Sequence, residues 1–265
     1  MKKTKRLPKI SIITPSYNQG EYIGQTIRSV LDQNYPNLQY LVIDGGSTDN
    51  TLRILKSYGK KIEWISEKDN GQSDAINKGL KMAKGDIVSY LNSDDILLPN
   101  ALRIVSEYFM NNQKVLWLTG YCSIIDHEGK ETRGIISKWK SLWLYMHEKV
   151  INNRNILLIF NYIAQPSTFL KKEVIDIVGN FDENLCYTMD YDYWLRLSLN
   201  YKLNIVRKEL SSFRLQKKSK SVSNVKKSFE ESYLVASRYT SSKLFLKLHK
   251  IHDMLAIFSY KLFNN

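Results

Sequence analysis

The chain has 265 residues, 43% of them hydrophobic, enough to bury one large core or two modest ones, which excludes a disordered or fibrous protein. Its formal charge of +13 is localised: residues 201–265 hold 14 Lys and Arg against 4 Asp and Glu, a balance of +10, leaving +3 for residues 1–200. Two distant cysteines, Cys122 and Cys186, argue against a disulfide framework or a zinc site, and no nucleic-acid-binding signature accompanies the basic segment, so no nucleic-acid partner is expected.

The amino terminus is basic (Lys2, Lys3, Lys5, Arg6), but the apolar run at 10–13 is too short for a signal sequence and meets Pro15 at once. From there β-rich runs alternate with helical periods: strand 10–14, helix 21–32, strand 39–43, helix 49–57, strand 61–65, helix 73–83 and strand 87–91. This alternation predicts an α/β fold, a doubly wound, mostly parallel sheet with helices on both faces. In the first helix, Ile23, Ile27, Val30 and Leu31 recur at helical spacing and supply one apolar stripe for the sheet. The second half opens with strands at 115–119 and 121–125 and passes through an aromatic helical stretch containing Trp139, Trp143 and Tyr145. It then reaches the segment QPSTFL at 165–170, a short helix, and a further helix at 190–199.

Past Lys217 the composition turns Ser- and Lys-rich and leads into a helix in which Leu244, Leu248, Ile251, Leu255, Phe258 and Leu262 alternate spacings of four and three, flanked by Lys243, Lys247, Lys250 and Lys261. That stripe either packs on the domain or settles, with its lysines, on an anionic membrane surface. No window approaches ~18 uninterrupted apolar residues, so no spanning helix is expected. The resulting division is 1–110, 111–215 and a basic amphipathic tail at 216–265, in a cytoplasmic protein with peripheral contact to the inner face of the plasma membrane.

Chemistry concentrates where strands end. Parallel strands deliver their carboxyl ends to one edge of the sheet, the place where open α/β sheets bind ligands. The run at 87–91 ends in Asn92, Ser93, Asp94 and Asp95, an adjacent acid pair that is costly unless a cation compensates it, and a hard divalent metal suits two carboxylates. The competing reading is a solvated turn in which Asp95 caps the helix beginning near Pro99. Asp44 closes the second strand, and its carboxylate could accept the imino proton of a nucleobase; Tyr17, one strand over, offers a ring face for that base. In the DGGSTD turn at 44–49 the later residues, Ser47, Thr48 and Asp49, are candidate caps for the next helix.

Four ordered segments, SIITPSYN at 11–18, DGGSTD at 44–49, GQSDAINKG at 71–79 and GDIVSYLNSDD at 85–95, together resemble the family-2 inverting glycosyltransferases of the GT-A fold. The resemblance implies a nucleotide-sugar site in which Thr14, Pro15, Tyr17, Asp44 and Asp94 meet the nucleotide, and Asp94 and Asp95 match the DXD-type motif that holds Mn²⁺ or Mg²⁺. Asn92 stands at that motif's first acidic place, so both acids are candidate ligands. The segment MDYDYWLR at 189–196 resembles the family's acidic motif and Trp-Leu-Arg helix, with Asp190 at the general-base position and Met189 where many members have Glu. Asp192, two residues along the helix, is the alternative base. The segment QPST at 165–168 matches relatives that build surface polysaccharides, which places Gln165 and Ser167 on the acceptor side. Lys78 is a candidate diphosphate contact or a solvated helix-face lysine. His249 and His252 have a metal-compatible spacing but lie in the lysine-rich tail, where ligation is not expected.

The implied activity is transfer of one sugar from a nucleotide-diphosphate sugar, a UDP-sugar foremost, to a hydroxyl of a lipid-linked surface-glycan acceptor. No Gln-x-x-Arg-Trp motif of processive synthesis occurs. Two other classes share parts of the pattern: a nucleotidyltransferase, which would show a Gly-rich, Lys- or Arg-containing loop where this chain has Tyr17, Asn18, Gln19 and Gly20, and a catalytically silent glycan- or membrane-binding scaffold.

Overall fold

A computed structural model describes residues 6–132, 134–147, 154–216, 219 and 224–263. Lys2, Lys3, Lys5 and Lys217 lie outside them, as do the side chains of Lys261 and Leu262. The first half is the expected alternation. Strands β1 (Ile10–Ser16), β2 (Leu38–Asp44), β3 (Glu63–Ser66) and β4 (Ile87–Tyr90) are joined by α1 (Ile23–Leu31), α2 (Thr51–Ser57) and α3 (Gln72–Met82), and they pair in parallel in the order β3-β2-β1-β4. Strand order reverses at β1, between β2 and β4, which makes the loops after β1 and β4 the walls of a ligand crevice.

The sheet then continues into the second half. β5 (Ile96–Leu97), β6 (Trp117–Ile125), β7 (Thr168–Lys171) and β8 (Asn204–Arg214) complete one eight-stranded sheet in the order β3-β2-β1-β4-β7-β6-β8-β5. Four of the seven pairings are parallel; β4 with β7, β6 with β7 and β5 with β8 are antiparallel. The two strands expected at 115–119 and 121–125 are one continuous strand, β6, whose register with β8 shifts on both sides of Tyr121. Gly120 makes the irregularity possible: a Cβ there would lie 2.6 Å from the Leu210 side chain. Sequence periodicity sees such a bulge as a break.

Because alternate strand residues face opposite sides, the sheet divides the core in two. On one face Ile10, Ile12, Val42 and Ile87 pack with Ile23, Ile27 and Val30 of α1 and with Leu102, Val105 and Phe109 of α4 (Ala101–Asn111). Each fully buried aliphatic side chain of this kind contributes roughly 1.5–3 kcal/mol, which is what holds α1 without a side-chain cap. On the other face Ile13, Leu41, Ile43 and Val88 pack with Ile76 and Leu80 of α3 and with α7 (Met189–Asn200), where Trp194 stacks on Trp117 at a centroid distance of 5.9 Å. Two further helices, α5 (Gly134–Met146) and α6 (Lys172–Val178), flank the second half.

The carboxy-terminal segment forms α8 (Val225–Tyr239) and α9 (Lys243–Phe263). α9 docks through one edge. His249 is fully buried, with its Nδ1–H donating to the Leu158 carbonyl at 2.8 Å and its Nε2 3.2 Å from Asp253, and Trp139 of α5 stacks on His252. The predicted apolar stripe faces the other way: Leu244, Leu248, Ile251, Leu255 and Phe258 are exposed, with Met254 among them. Among the described residues no helix is long and apolar enough to cross a membrane.

Gly79 is the tightest approach of a crossover helix to the sheet, because a Cβ there would run into the Ile13 side chain. Gly79→Val is expected to destabilise the protein by about 1–3 kcal/mol through overpacking, read from urea unfolding midpoints. An unchanged midpoint would contradict this packing of α3 on β1.

Candidate active site

The loops after β1 and β2 are laced into one unit. Ser47 Oγ accepts from Asn18 N–H at 2.7 Å, Asn18 Oδ1 from Thr48 N–H at 2.9 Å, Thr51 Oγ1 from Gln19 N–H at 3.0 Å and Asp49 Oδ2 from Gly20 N–H at 2.9 Å. Asn18 takes the left-handed conformation, φ 52°, that this lacing needs. Tyr17 stands on the fastened loop with its side chain 60% exposed. An exposed aromatic ring on a rigid backbone is a stacking platform.

The neighbouring candidates are placed differently from expectation. Thr14 is buried with its hydroxyl 3.1 Å from Tyr40 Oη, and Pro15 is buried beside it, so both build the strand rather than a ligand surface. Asp44 is fully enclosed and its carboxylate is occupied: Oδ2 accepts from Gly46 N–H at 3.1 Å, Ser47 N–H at 2.9 Å and Ser66 Oγ at 2.7 Å, and Oδ1 from Ser47 Oγ at 2.5 Å. It pins the turn that follows β2. Of the predicted caps, Asp49 does bond to Thr51 N–H at 2.9 Å, while Ser47 serves Asp44 and Asn18 instead. The Lys78 ammonium is taken by Glu67 at 2.8 Å and Asp74 at 3.3 Å, an ion pair that holds the β3–α3 loop and leaves no diphosphate contact in this arrangement.

The acid pair sits where the sequence places it, between β4 and β5, but it is not a solvated turn. Helix α4 begins at Ala101 after Asn100, and Asp95 does not cap it. Asp95 is fully buried; its Oδ1 accepts from Arg214 N–H at 2.8 Å and its Oδ2 from Asn92 Nδ2 at 3.3 Å. Asp94 is half-buried, with Oδ2 accepting from Gln216 Nε2 at 2.7 Å. Burial raises the Asp94 carboxyl above its ordinary range, and burial together with the Asp94 charge raises Asp95 further. Arg214, at the end of β8, is the organiser. Its buried guanidinium donates to the Asp94 carbonyl at 2.8 Å, to the Asp126 and His127 carbonyls at 2.9 and 3.2 Å and to Gln25 Oε1 at 2.7 Å, and lies 5.1 Å over the Tyr22 ring.

Asn92, at the place where a third acid would stand, connects the pair to its surroundings. Its Oδ1 accepts from Gln72 Nε2 at 2.7 Å, and Gln165 Oε1 lies 3.3 Å from its Nδ2. Gln165 in turn donates to the Tyr90 carbonyl at 2.6 Å, so it borders the acid pair. Ser167 does not border a surface: it is fully buried and ties β6 to β8 through the Tyr121 carbonyl at 2.8 Å and Ser211 Oγ at 2.6 Å.

Asp190 and Asp192 separate cleanly on α7. Asp192 is buried and consumed by Arg196 Nε at 2.9 Å and Tyr239 Oη at 2.7 Å, fastening α7 to α8. Asp190 is half-buried, its Oδ1 accepting from Tyr191 N–H at 2.8 Å and its Oδ2 3.4 Å from Asn161 Nδ2. Burial raises its carboxyl above the ordinary range, opposed by the Tyr191 N–H, the Lys140 charge and Asn161. The Tyr90 hydroxyl is pushed well above its usual range by burial first and then by the charges of Asp190 and Asp95. Lys140 of α5 joins them: burial lowers its ammonium, against the pull of Cys122 and Asp190.

Arg214, Gln216, Lys140 and Asn161 were not found by sequence reasoning. The only available signal was the Arg-Leu-Gln triplet at 214–216 immediately after a strand, which reads as the start of the basic tail.

The fit of a divalent cation follows from the donors. Two hard carboxylates, both costly to ionise and one with an oxygen, Asp94 Oδ1, free of hydrogen bonds among the described residues, suit Mg²⁺ or Mn²⁺. No group of three or more His, Cys, Asp or Glu suited to a metal occurs among the described residues, so the remaining ligands must come from a bound phosphate-bearing molecule, side-chain amides or water.

This arrangement, a doubly wound sheet with an exposed aromatic ring and an acid pair at its switch point, is that of a ligand-binding α/β protein. The chain belongs to Glycosyl transferase family 2, whose profile matches residues 11–178. It is 34% identical over 208 residues to an uncharacterized glycosyltransferase of Rickettsia typhi, covering 74% of this chain and 60% of that protein, so it spans less than two thirds of that relative. It is 39% identical over 126 residues to the putative teichuronic acid biosynthesis glycosyltransferase TuaG of Bacillus subtilis, 46% of this chain and 50% of the relative. Two solved structures share the fold. S. aureus TarS 1-349 in complex with UDP-GlcNAc superposes with a TM-score of 0.65 at 20% identity over 89% of this chain and 67% of that one. The mannosyltransferase PcManGT of Pyrobaculum calidifontis in complex with GDP-Man and Mn²⁺ gives 0.66 at 16% identity, over 94% and 70%. The architecture is thus the GT-A-like fold that the resemblance implies.

Mn²⁺ with UDP is expected to raise the melting temperature of the wild-type protein, since a ligand of the folded state alone must stabilise it, and the Mn²⁺-dependent part of that rise is expected to vanish in Asp95→Asn. An equal rise in the variant would place the cation elsewhere.

Proposed function

We propose that the protein is a metal-dependent inverting glycosyltransferase that moves one sugar from a UDP-sugar to a hydroxyl of a lipid-linked surface-glycan acceptor. The observation that supports the reading is that the Tyr90 hydroxyl feels the charges of both Asp190 and Asp95, which sets the α7 carboxylate near an acid pair that could hold a diphosphate-bound cation. Family membership, a neighbour bound to UDP-GlcNAc and another bound to GDP-Man and Mn²⁺ support it. The polysaccharide setting rests on the likeness to the teichuronic acid enzyme.

Tyr17 supplies the stacking face for the base, and Asp44 holds the adjoining turn in shape. Asp94 and Asp95 would hold Mg²⁺ or Mn²⁺, which when bound offsets negative charge on the leaving diphosphate. Arg214, Gln216 and Asn92 keep the two carboxylates in place, so that they need no rearrangement to do so. Asp190 accepts the acceptor hydroxyl proton as that oxygen bonds to the anomeric carbon. The bond from that carbon to the diphosphate breaks on the opposite face, and its electron pair leaves with UDP. Gln165, bordering the pair, faces the acceptor side of this cleft. A carboxyl raised by burial is a stronger base than an exposed one, and the Lys140 charge favours its ionised form.

Asp190→Asn is expected to lower transfer at least ~100-fold while UDP and Mn²⁺ still bind. In the wild type the rate falls as pH drops through the Asp190 pKa, so the acid limb of kcat/KM lies above the ordinary carboxylate value; Lys140→Gln, which removes a charge favouring the carboxylate, moves that limb to higher pH. Transfer surviving in Asp190→Asn, or a limb indifferent to Lys140, would sink the assignment.

The exposed stripe of α9, flanked by Lys243, Lys247 and Lys250, is proposed to rest on the anionic inner face of the plasma membrane, where a lipid-linked acceptor would lie. Each lysine near such a surface contributes about 1 kcal/mol. Reversing all three to Glu is expected to cut co-sedimentation with anionic vesicles by roughly tenfold or more, and unchanged partitioning would remove the membrane from the account.

A further inference from the structure

Asp190 stands in the first turn of α7, and the backbone that leads into that turn is held from outside the helix. Cys186, Tyr187 and Thr188 precede α7, and their three N–H groups converge on one side chain of α8. Glu231 Oε2 accepts from Cys186 N–H at 3.0 Å, and its Oε1 accepts from Tyr187 N–H at 2.7 Å, Thr188 N–H at 2.7 Å and the Thr188 hydroxyl at 2.8 Å. Successive N–H groups turned to one point form a concave seat for an anion, and here a carboxylate of the same chain fills it. Thr188 makes no cap with its own side chain, because its hydroxyl is given to Glu231. Tyr191 N–H, one residue into the turn after Asp190, goes to Asp190 Oδ1 at 2.8 Å. Two acids therefore serve the start of α7, and one of them is the proposed base.

The rest of the α7–α8 contact lies further along both helices. Glu231, Val235 and Tyr239 recur every four residues on one face of α8; Val235 is fully buried, and Tyr239 Oη donates to Asp192 at 2.7 Å. Those contacts hold α7 sideways. Glu231 holds the end at which Asp190 stands.

We propose that Glu231 is a positioning residue for Asp190: by fixing the backbone at 186–188 it sets where the first turn of α7 begins, and so keeps the Asp190 carboxylate beside Asn161 and partly out of water. The inference rests on the reading of Asp190 as the base and adds the residue that holds it in place. Lys140 of α5 and Tyr90 of β4 are the ionisable groups that face Asp190. Glu231 acts on it through the backbone, not as a further charge.

Carbon-detected NMR titration of Asp190 in the metal-free, aspartate-labelled full chain tests this in the wild type, Glu231→Gln, Glu231→Asp and Glu231→Ala. Glutamine keeps the reach and an oxygen for the three bonds that Oε1 accepts. Aspartate keeps the charge but is one methylene short, and alanine keeps neither. Burial raises the Asp190 carboxyl in the wild type, so freeing the 186–188 backbone admits water and moves its titration down toward the ordinary carboxylate range. That downward shift is expected in Glu231→Asp and Glu231→Ala, with a titration like that of the wild type in Glu231→Gln; unmoved Asp94 and Asp95 carbons check that the sheet is intact. Tyr239→Phe, which loosens the same helix pair at Asp192 and spares the 186–188 backbone, is expected to leave Asp190 unchanged. An unchanged titration in Glu231→Ala overturns the role of Glu231. So does a shift in Glu231→Gln without one in Glu231→Asp, which marks an effect of charge, or a shift in Tyr239→Phe as large as in Glu231→Ala, which marks general helix packing. None of these results depends on transfer, so the base reading itself falls only if transfer survives in Asp190→Asn.

Discussion

Two neighbouring carboxylates confined at the end of a buried strand set the terms for the rest of the molecule. Asp94 and Asp95 repel each other, Asp95 is fully buried, and among the described residues the hydrogen bonds their carboxylates accept come from neutral amides, namely Gln216, Asn92 and the backbone of Arg214. Such a pair is unfavourable in isolation and persists because the surrounding fold fixes it. Under the proposed function the pair is offset by an arriving cation, and a cation held by two carboxylates has open positions for phosphate oxygens. The buried guanidinium of Arg214 spends its donors on carbonyls rather than on the acids. It moderates their repulsion at a distance without filling the position a metal needs.

That geometry depends on a long-range closure. Asp94 and Asp95 leave β4, in the nucleotide half, and the residues that hold them, Arg214 and Gln216, leave β8, about 120 positions later. β5 makes the connection by pairing antiparallel with β8, Ile96 with Ser212 and Leu97 with Ser211. The second half of the sheet therefore completes the electrostatics of an acid pair that belongs to the first half. Asp192, from the same helix as Asp190, is spent on holding α7 against α8, so a single helix turn carries both the carboxylate proposed as the base and the one that moors the helix.

The sequence made the nucleotide half legible because its physics is local. Strand–helix alternation, the apolar stripe of α1 and acids at strand ends all follow from periods and turn chemistry within a few residues. Helix geometry likewise separates Asp190 from Asp192, and the structure gives the two different partners. What stayed hidden was set by distant partners. The bulge at Gly120, which splits one strand into two apparent ones, exists because of Leu210. Asp44 is a strand-end acid in the sequence, but Ser47 and Ser66 close around it; Ser167 and Thr14 carry hydroxyls that cross-strand neighbours absorb. For the α9 stripe the helical period is compatible with a buried or an exposed face, and long-range packing decides: the polar edge of His249 and Asp253 docks and the stripe is exposed.

The account stands on the acid pair being strained without a cation, and carbon-detected NMR of aspartate-labelled protein measures that directly. The account predicts that the Asp94 and Asp95 carboxyl carbons of the metal-free protein titrate above the ordinary carboxylate range, and that Mg²⁺ with UDP abolishes that titration across the same pH interval. Ordinary titration curves for both carbons, unmoved by Mg²⁺ and UDP, would contradict it.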